Sequence, residues 1–319
     1  PGNWQPLGSG AGFTGTVQAL ARNGGTIYAA GSFTNLGGTA ANNIAHWNGT
    51  AWNALGSGVN GTVWALRLLA NGDLIATGDF TLAGGVACNR IARWNGSTWS
   101  ALGTGLTTPF AGTPTIGRAL ATTANGDLLV GGDFSRAGGV ACNRIARWNG
   151  STWSALGSGV DNTVNTIAVR PDGSIAIGGA FLNAGAVSAP YVALWDGTAW
   201  SSAWVLGPHP LGPVATLTAL PDGDLIGGGA QWSAPSSFPF SAWTSALMRW
   251  RAGQWTPLGV LGAGVYASAL ASDGTLAITG DFAVTGTTPH GNVARLTPGC
   301  PALASAYSSR SEEHTSELQ

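Results

Sequence analysis

Apolar and polar residues alternate along this chain in short runs, and each run stops at turn-forming residues. Thr62-Val-Trp-Ala-Leu-Arg-Leu68 leads to Asn71-Gly72, and Asp73-Leu-Ile-Ala-Thr-Gly-Asp-Phe80 leads to a longer connection. Arg90-Ile-Ala-Arg-Trp94 then leads to Asn95-Gly96, and Trp99-Ser-Ala-Leu102 completes the set. A period of two marks strands. Asn-Gly between such runs is a strong hairpin signal, because both central residues of the turn take positive φ. The stretch predicts four antiparallel strands, a to d, with tight a–b and c–d turns. The longer b–c and d–a connections emerge together on the opposite face.

The same set recurs. Gly84 to Gly103 is repeated letter for letter at 138–157, and diverged copies place a first Trp at 47, 94, 148, 195 and 250. A second Trp follows at 52, 99, 153, 200 and 255, and a Gly-x-Phe anchor ends at Phe33, Phe80, Phe134, Phe181 and Phe282. Four strands in a repeat of about fifty residues is the pattern of a propeller blade. The sixth unit stops after Asn292-Val-Ala-Arg-Leu296 without a Trp-x-x-Leu-Gly strand, and Trp4-Gln-Pro-Leu-Gly8 supplies one at the start. The expected fold is all-β: a six-bladed β-propeller over residues 1–297, with the N-terminal strand closing the last blade and removing an open sheet edge. Residues 298–309 read as the start of a truncated C-terminal extension. Residues 310–319 read as a disordered artefact, the translation of a sequencing adapter.

The Gly-rich strand b, the strand c ending in an aromatic and the Trp opening strand d resemble the kelch repeat. The fuller string Asn89-Arg-Ile-Ala-Arg-Trp-Asn-Gly-Ser-Thr-Trp-Ser-Ala-Leu-Gly103 resembles kelch-like repeats of large secreted or surface bacterial proteins. It is also similar to the propellers of fungal cortical polarity markers. The resemblance spans about residues 3–297. It implies a propeller scaffold and an extracellular or cell-surface location, and it implies no catalytic residue.

Composition narrows the partners. The chain contains 51 Gly and 15 Trp, and only 8% of it is charged. It has no Lys, and Glu occurs only at 312, 313 and 317. Without residues 310–319 the balance is twelve Arg against eleven Asp, which provides no field for nucleic acid or an anionic membrane. No apolar run is long enough to span a bilayer as a helix. A monomer is expected. Pro1 is not an initiator, so the start reads as truncated and a signal peptide as not visible. Cys88 and Cys142 fall in equivalent places of adjacent repeats, too far apart to bridge, while Cys300 stands alone.

The repeated residues read as structure. Across a two-residue Asn48-Gly49 turn, Ala45 faces Trp52, which makes Trp47 and Trp52 diagonal neighbours on one buried blade face. Asp79 with Arg93, Asp133 with Arg147 and Asp281 with Arg295 read as ion pairs between strands b and c, a pattern that the fifth copy breaks with Ala230 against Arg249. Asp73, Asp127, Asp172, Asp222 and Asp273 suit a–b turns. Asp222-Gly-Asp224 is only half of a calcium loop, so calcium binding would rest on backbone carbonyls.

Searches for chemistry return nothing. His46, His209 and His290 lack metal-ligand spacing. No nucleophile elbow, phosphate loop or dinucleotide fingerprint stands in its context. The chain is expected to hold no catalytic residue, metal or cofactor. Two segments depart from the repeat: 104–115 with Phe110, and 231–246 with Trp232, Phe238, Phe240 and Trp243. Aromatics on long loops suit stacking on a sugar or a partner side chain. These five are the expected binding residues for a glycan or protein on the long-loop face. The competing reading is a polysaccharide lyase or hydrolase using Asp and His at the central funnel.

Overall fold

The computed structural model describes residues 7, 13–108, 114–204, 212–229, 246–260, 264–281, 284–285, 288–289 and 293–296. These residues form no helix. The chain divides into two compact units, Pro1–Ile167 and Ala168–Gln319.

The first unit holds three antiparallel sheets in the order a-b-c-d. One comprises Thr14–Asn23, Thr26–Leu36, Ile44–Trp47 and Trp52–Ala54, with Thr39–Ala40 paired to its second strand. Another comprises Val63–Leu68, Leu74–Gly78, Ile91–Trp94 and Trp99–Ala101, and a third comprises Ile116–Thr122, Leu128–Asp133, Ile145–Trp148 and Trp153–Ala155. The unit boundary falls within Val164–Val169, the first strand of a fourth sheet that continues through Ile175–Gly179, Val192–Trp195 and Trp200–Ser202. The second unit adds a sheet of Val214–Ala219, Leu225–Gly229, Ala246–Arg251 and Gln254–Val260. Its last sheet, Val265–Leu270, Leu276–Gly280 and Val293–Leu296, has three described strands. The b–c connections are more than loops: they carry small hairpins, as at Leu82–Ala83 with Val86–Ala87.

The c–d turn differs from the sequence expectation. Trp47 lies directly opposite Trp52, and Trp94 opposite Trp99, so the pairs are not diagonal. Four residues close the turn because the Asn48 Oδ1 accepts the N–H groups of Thr50 and Ala51 at 3.0 and 2.9 Å. Asn95, Asn149 and Asp196 do the same, a side-chain turn that a count of Asn-Gly spacing misses. The paired rings tilt against each other at 5.1–5.8 Å between centroids, within the favourable range for aromatic pairs.

In the first four pairs the second Trp is the buried one, and in the fifth both Trp250 and Trp255 are buried. Trp52, Trp99, Trp153, Trp200 and Trp255 are all under a tenth exposed, whereas Trp47, Trp94, Trp148 and Trp195 are half-buried. The Trp99 Nε1 donates to the Leu55 carbonyl at 2.9 Å, and the Trp153 Nε1 donates to Leu102 at 3.0 Å. Each bond reaches the Leu of the preceding Trp-x-x-Leu strand. The Trp52 Nε1 reaches Leu7 in the same way at 3.0 Å. In the last pair Trp250, the first of the two, donates to the Ala203 carbonyl.

The Arg and Asp pairing also needs correction. Arg93 pairs with Asp73 at 2.7 Å and Arg147 pairs with Asp127, not with Asp79 and Asp133. The register explains this: Arg93 lies opposite Ile75 and Trp94 opposite Leu74, which brings the guanidinium to the residue opening strand b. The fifth copy is then regular, with Arg249 held by Asp224 at 2.6 Å and by Asp222 at 2.7 Å. Asp281 takes a hydrogen bond from Tyr266, while Arg295 acts on Asp273, whose carboxyl is held low chiefly by the Thr275 N–H.

In the first copy His46 stands where four of the other five have Arg and the fourth copy has Leu194, opposite Tyr28. Burial pushes its imidazole below the ordinary value of 6.5. As the pH falls through the unfolded value toward the lower folded one, the unfolded chain takes up a proton that the folded chain refuses, so stability drops. Melting curves of H46Q should therefore depend less on pH in this window than those of the native chain. Parallel curves would contradict a buried neutral imidazole.

Candidate binding cleft in the third repeat

Strand a breaks its register at the same place in five sheets: between Val17 and Ala19, Val63 and Ala65, Gly117 and Ala119, Val214 and Thr216, and Val265 and Ala267. The cause lies across the ladder, in the Gly of the Gly-x-Phe anchor. A Cβ on Gly78 would stand 2.0 Å from the Thr62 carbonyl oxygen, and one on Gly132 would stand 2.1 Å from that of Ile116. Only glycine admits this approach. The bulge leaves one residue unpaired and re-aims its side chain. Those residues are Gln18, Trp64, Arg118, Ala215 and Tyr266, with Asn165 at the same repeat position. The bulge recurs at the same repeat position, yet no two of the six residues are alike.

In the first unit the bulge residues meet. The Arg118 guanidinium lies over the Trp64 ring at 5.6 Å, and its Nε donates to the Asp133 Oδ2 at 2.8 Å. The Thr163 hydroxyl donates to the other oxygen of Asp133. In the second unit the Tyr266 hydroxyl donates to the Asp281 Oδ2 at 2.5 Å. That bond, and the charge of the carboxylate, raise the phenol above its ordinary value.

A cleft of about 460 Å³ opens beside Arg118, within the range of small-ligand sites. Thr108 and Pro114 of the d–a connection form one wall, Phe134, Ser135 and Arg144 of the b–c connection form the other, and Arg118 and Asp133 complete the lining. It opens at the edge from which the longer connections leave. Among the described residues the Ser135 Oγ is buried with no hydrogen-bond partner, and they gather no three His, Cys, Asp or Glu side chains.

Phe110 and the cluster Trp232, Phe238, Phe240 and Trp243 lie outside the described residues. Thr108 and Pro114, which flank 109–113, line the cleft, so the insertion at 104–115 marked the neighbourhood. Sequence reading did not single out Arg118 or Arg144. Two signals were available: the strand-a position that differs in every copy, and Asn43, Arg90, Arg144 and Tyr191 just before strand c. Those four share a left-handed backbone, with φ of 64–70°.

No curated protein matches this chain. A family model described as a domain-of-unknown-function β-propeller, DUF5122, matches residues 123–151 and 271–299. Among solved structures the chain is similar to virginiamycin B lyase from Staphylococcus aureus, at 13% identity, 91% coverage of this chain, 86% of that one and a TM-score of 0.55. It is similar to YCF48 bound to D1 peptide, at 15% identity, 90% and 78% coverage and a TM-score of 0.52. An ancestral GH74 enzyme aligns at 14% identity and a TM-score of 0.56, over 86% of this chain and only 36% of its own length. At such identities the likeness concerns fold alone. Repeated four-stranded sheets, a propeller family model and propeller neighbours agree: the chain is a β-propeller.

Proposed function

We propose that this protein is a non-enzymatic binding module at or beyond the cell surface, a six-bladed propeller closed by a strand at residues 1–8. The location rests on the resemblance of its repeats to those of secreted and surface proteins. Support for the closure comes from Leu7, whose carbonyl receives the Trp52 indole N–H as Leu55 receives that of Trp99. Leu7 thereby stands to Trp52 as the Leu of a Trp-x-x-Leu strand stands to the Trp that follows it.

One observation carries the binding reading: non-repeating side chains at a repeated bulge, beside a cleft on the edge that bears the longer connections. Binding residues concentrate at such varying positions when a rigid scaffold carries them. The fold leaves the class open, since its neighbours include a lyase and a propeller bound to a peptide. Local chemistry favours binding. Asp133 is the only carboxylate among the described lining of the cleft, and it is already engaged by Arg118 and Thr163. Two-carboxylate glycoside hydrolysis needs a second acid about 5–9.5 Å away. Tyr266 is poorly suited to act as a base, because its bond to Asp281 raises the phenol instead of lowering it.

A combined glycan and peptide array probed with the full chain tests this reading. Retention of a ligand by the native protein and its loss in R118A, with unchanged melting, is the expected result. Equal retention by R118A would remove the bulge residues from the site.

A further inference from the structure

Within this binding reading, we propose that the third-repeat cleft takes the carboxylate of an acidic sugar, with Arg144 as the cation that receives it. The argument begins with charge. Of the two guanidinium groups lining the cleft, Arg118 is neutralised by Asp133 at 2.8 Å. Arg144 is half-buried and has no side-chain hydrogen bond or ion pair among the described residues. Arg90, at the same repeat position, spends its Nε on the Thr115 carbonyl at 3.0 Å. The cleft therefore keeps one uncompensated positive charge in a partly desolvated place, where a charge without a counter-ion is costly. A monoanion balances it; a phosphate ester, with roughly −1.5 to −2 charges, would overshoot and face Asp133.

The backbone shows that the position is free for this role. In the first repeat the residue is Asn43, and both ends of its amide are structural: the Oδ1 accepts the Phe33 N–H at 3.0 Å and the Nδ2 donates to the Val59 carbonyl at 2.9 Å. The third repeat keeps the left-handed backbone, with φ 64°. It is locked by Arg144 N–H to the Phe134 carbonyl at 2.8 Å and by Gly132 N–H to the Arg144 carbonyl at 3.0 Å. The structural amide is replaced by a guanidinium launched from a fixed point, whose planar fork matches a carboxylate. Hydroxyls complete the match. The Thr108 hydroxyl and the outer lone pairs of Asp133 complement a polyhydroxylated ring better than an acidic peptide side chain.

Calorimetric titration of the full chain with D-glucuronate and D-galacturonate tests the assignment, with D-glucose, sulfate and N-acetylglutamate amide as comparison arms. A hexuronate should bind at millimolar concentration or tighter, and glucose should not. R144N should weaken binding more than about tenfold, the loss expected for a charge-assisted hydrogen bond, with unchanged melting because Asn43 already tolerates this backbone. R144K should recover part of the affinity. Equal binding by R144N, no binding of either hexuronate, equal binding of glucose, or tighter binding of sulfate or the glutamate amide would overturn the assignment. If an array ligand is lost in R118A but kept in R144N, the binding module stands and the acidic-sugar assignment falls.

Discussion

Truncating Trp99 to alanine is expected to cost about 3–5 kcal/mol of stability, the usual range for a core aromatic. Its side chain is 5% exposed and packs into a cluster with Leu74, Ala76, Ala92 and Cys88. The ring also rests against Trp94 at 5.4 Å. Removal opens a cavity and takes from the Leu55 carbonyl the indole N–H it accepts at 2.9 Å, leaving it only the Gly58 N–H at 3.1 Å; a lost hydrogen bond of this kind adds about 0.5–1.5 kcal/mol. Trp94 is half-buried and makes no such bond, so W94A should cost clearly less. Urea titrations of the two variants decide the matter, and an equal or reversed order would contradict the division between anchoring and covering Trp.

The other large effect sits in the second unit. D224A should cost about 3 kcal/mol or more, because it removes one of two carboxylates holding a guanidinium that is only 3% exposed, and breaking a buried pair leaves an uncompensated charge. The other partner, Asp222, has a side chain 32% exposed and compensates only in part. D73A makes the same change at the same repeat position, but Arg93 is 47% exposed and can turn to water. Its cost should stay within about 1 kcal/mol. Denaturant midpoints of the two variants should differ accordingly; equal costs would mean that burial of the Arg does not govern the pair.

Much of the architecture was legible in the chain. Alternation and Asn-Gly spacing found the four-stranded units and the Trp pairs, because each depends on local backbone rules. What escaped depends on register. The Asn48 side chain closes a four-residue turn that a two-residue count mistakes, which shifted Trp52, while the Arg partners were missed in the register between strands b and c. Asp224 with Arg249 would have revealed the true pairing, since that copy alone broke the assumed one. The bulges were invisible for the same reason: Gly78 and Gly132 read as ordinary glycines of strand b until strand a was seen pressed against them. Arg118 and Arg144 then looked like ordinary members of a repeat whose other charges are structural.

Binding without turnover is the central claim, and the fate of the ligand tests it most directly. A ligand retained on the array should be incubated with a stoichiometric amount of the full chain, eluted and weighed by mass spectrometry. Recovery of the intact ligand, after saturable binding at one site, is the predicted result. Appearance of a hydrolysed or unsaturated fragment, lost in R118A, would contradict it and make this propeller an enzyme.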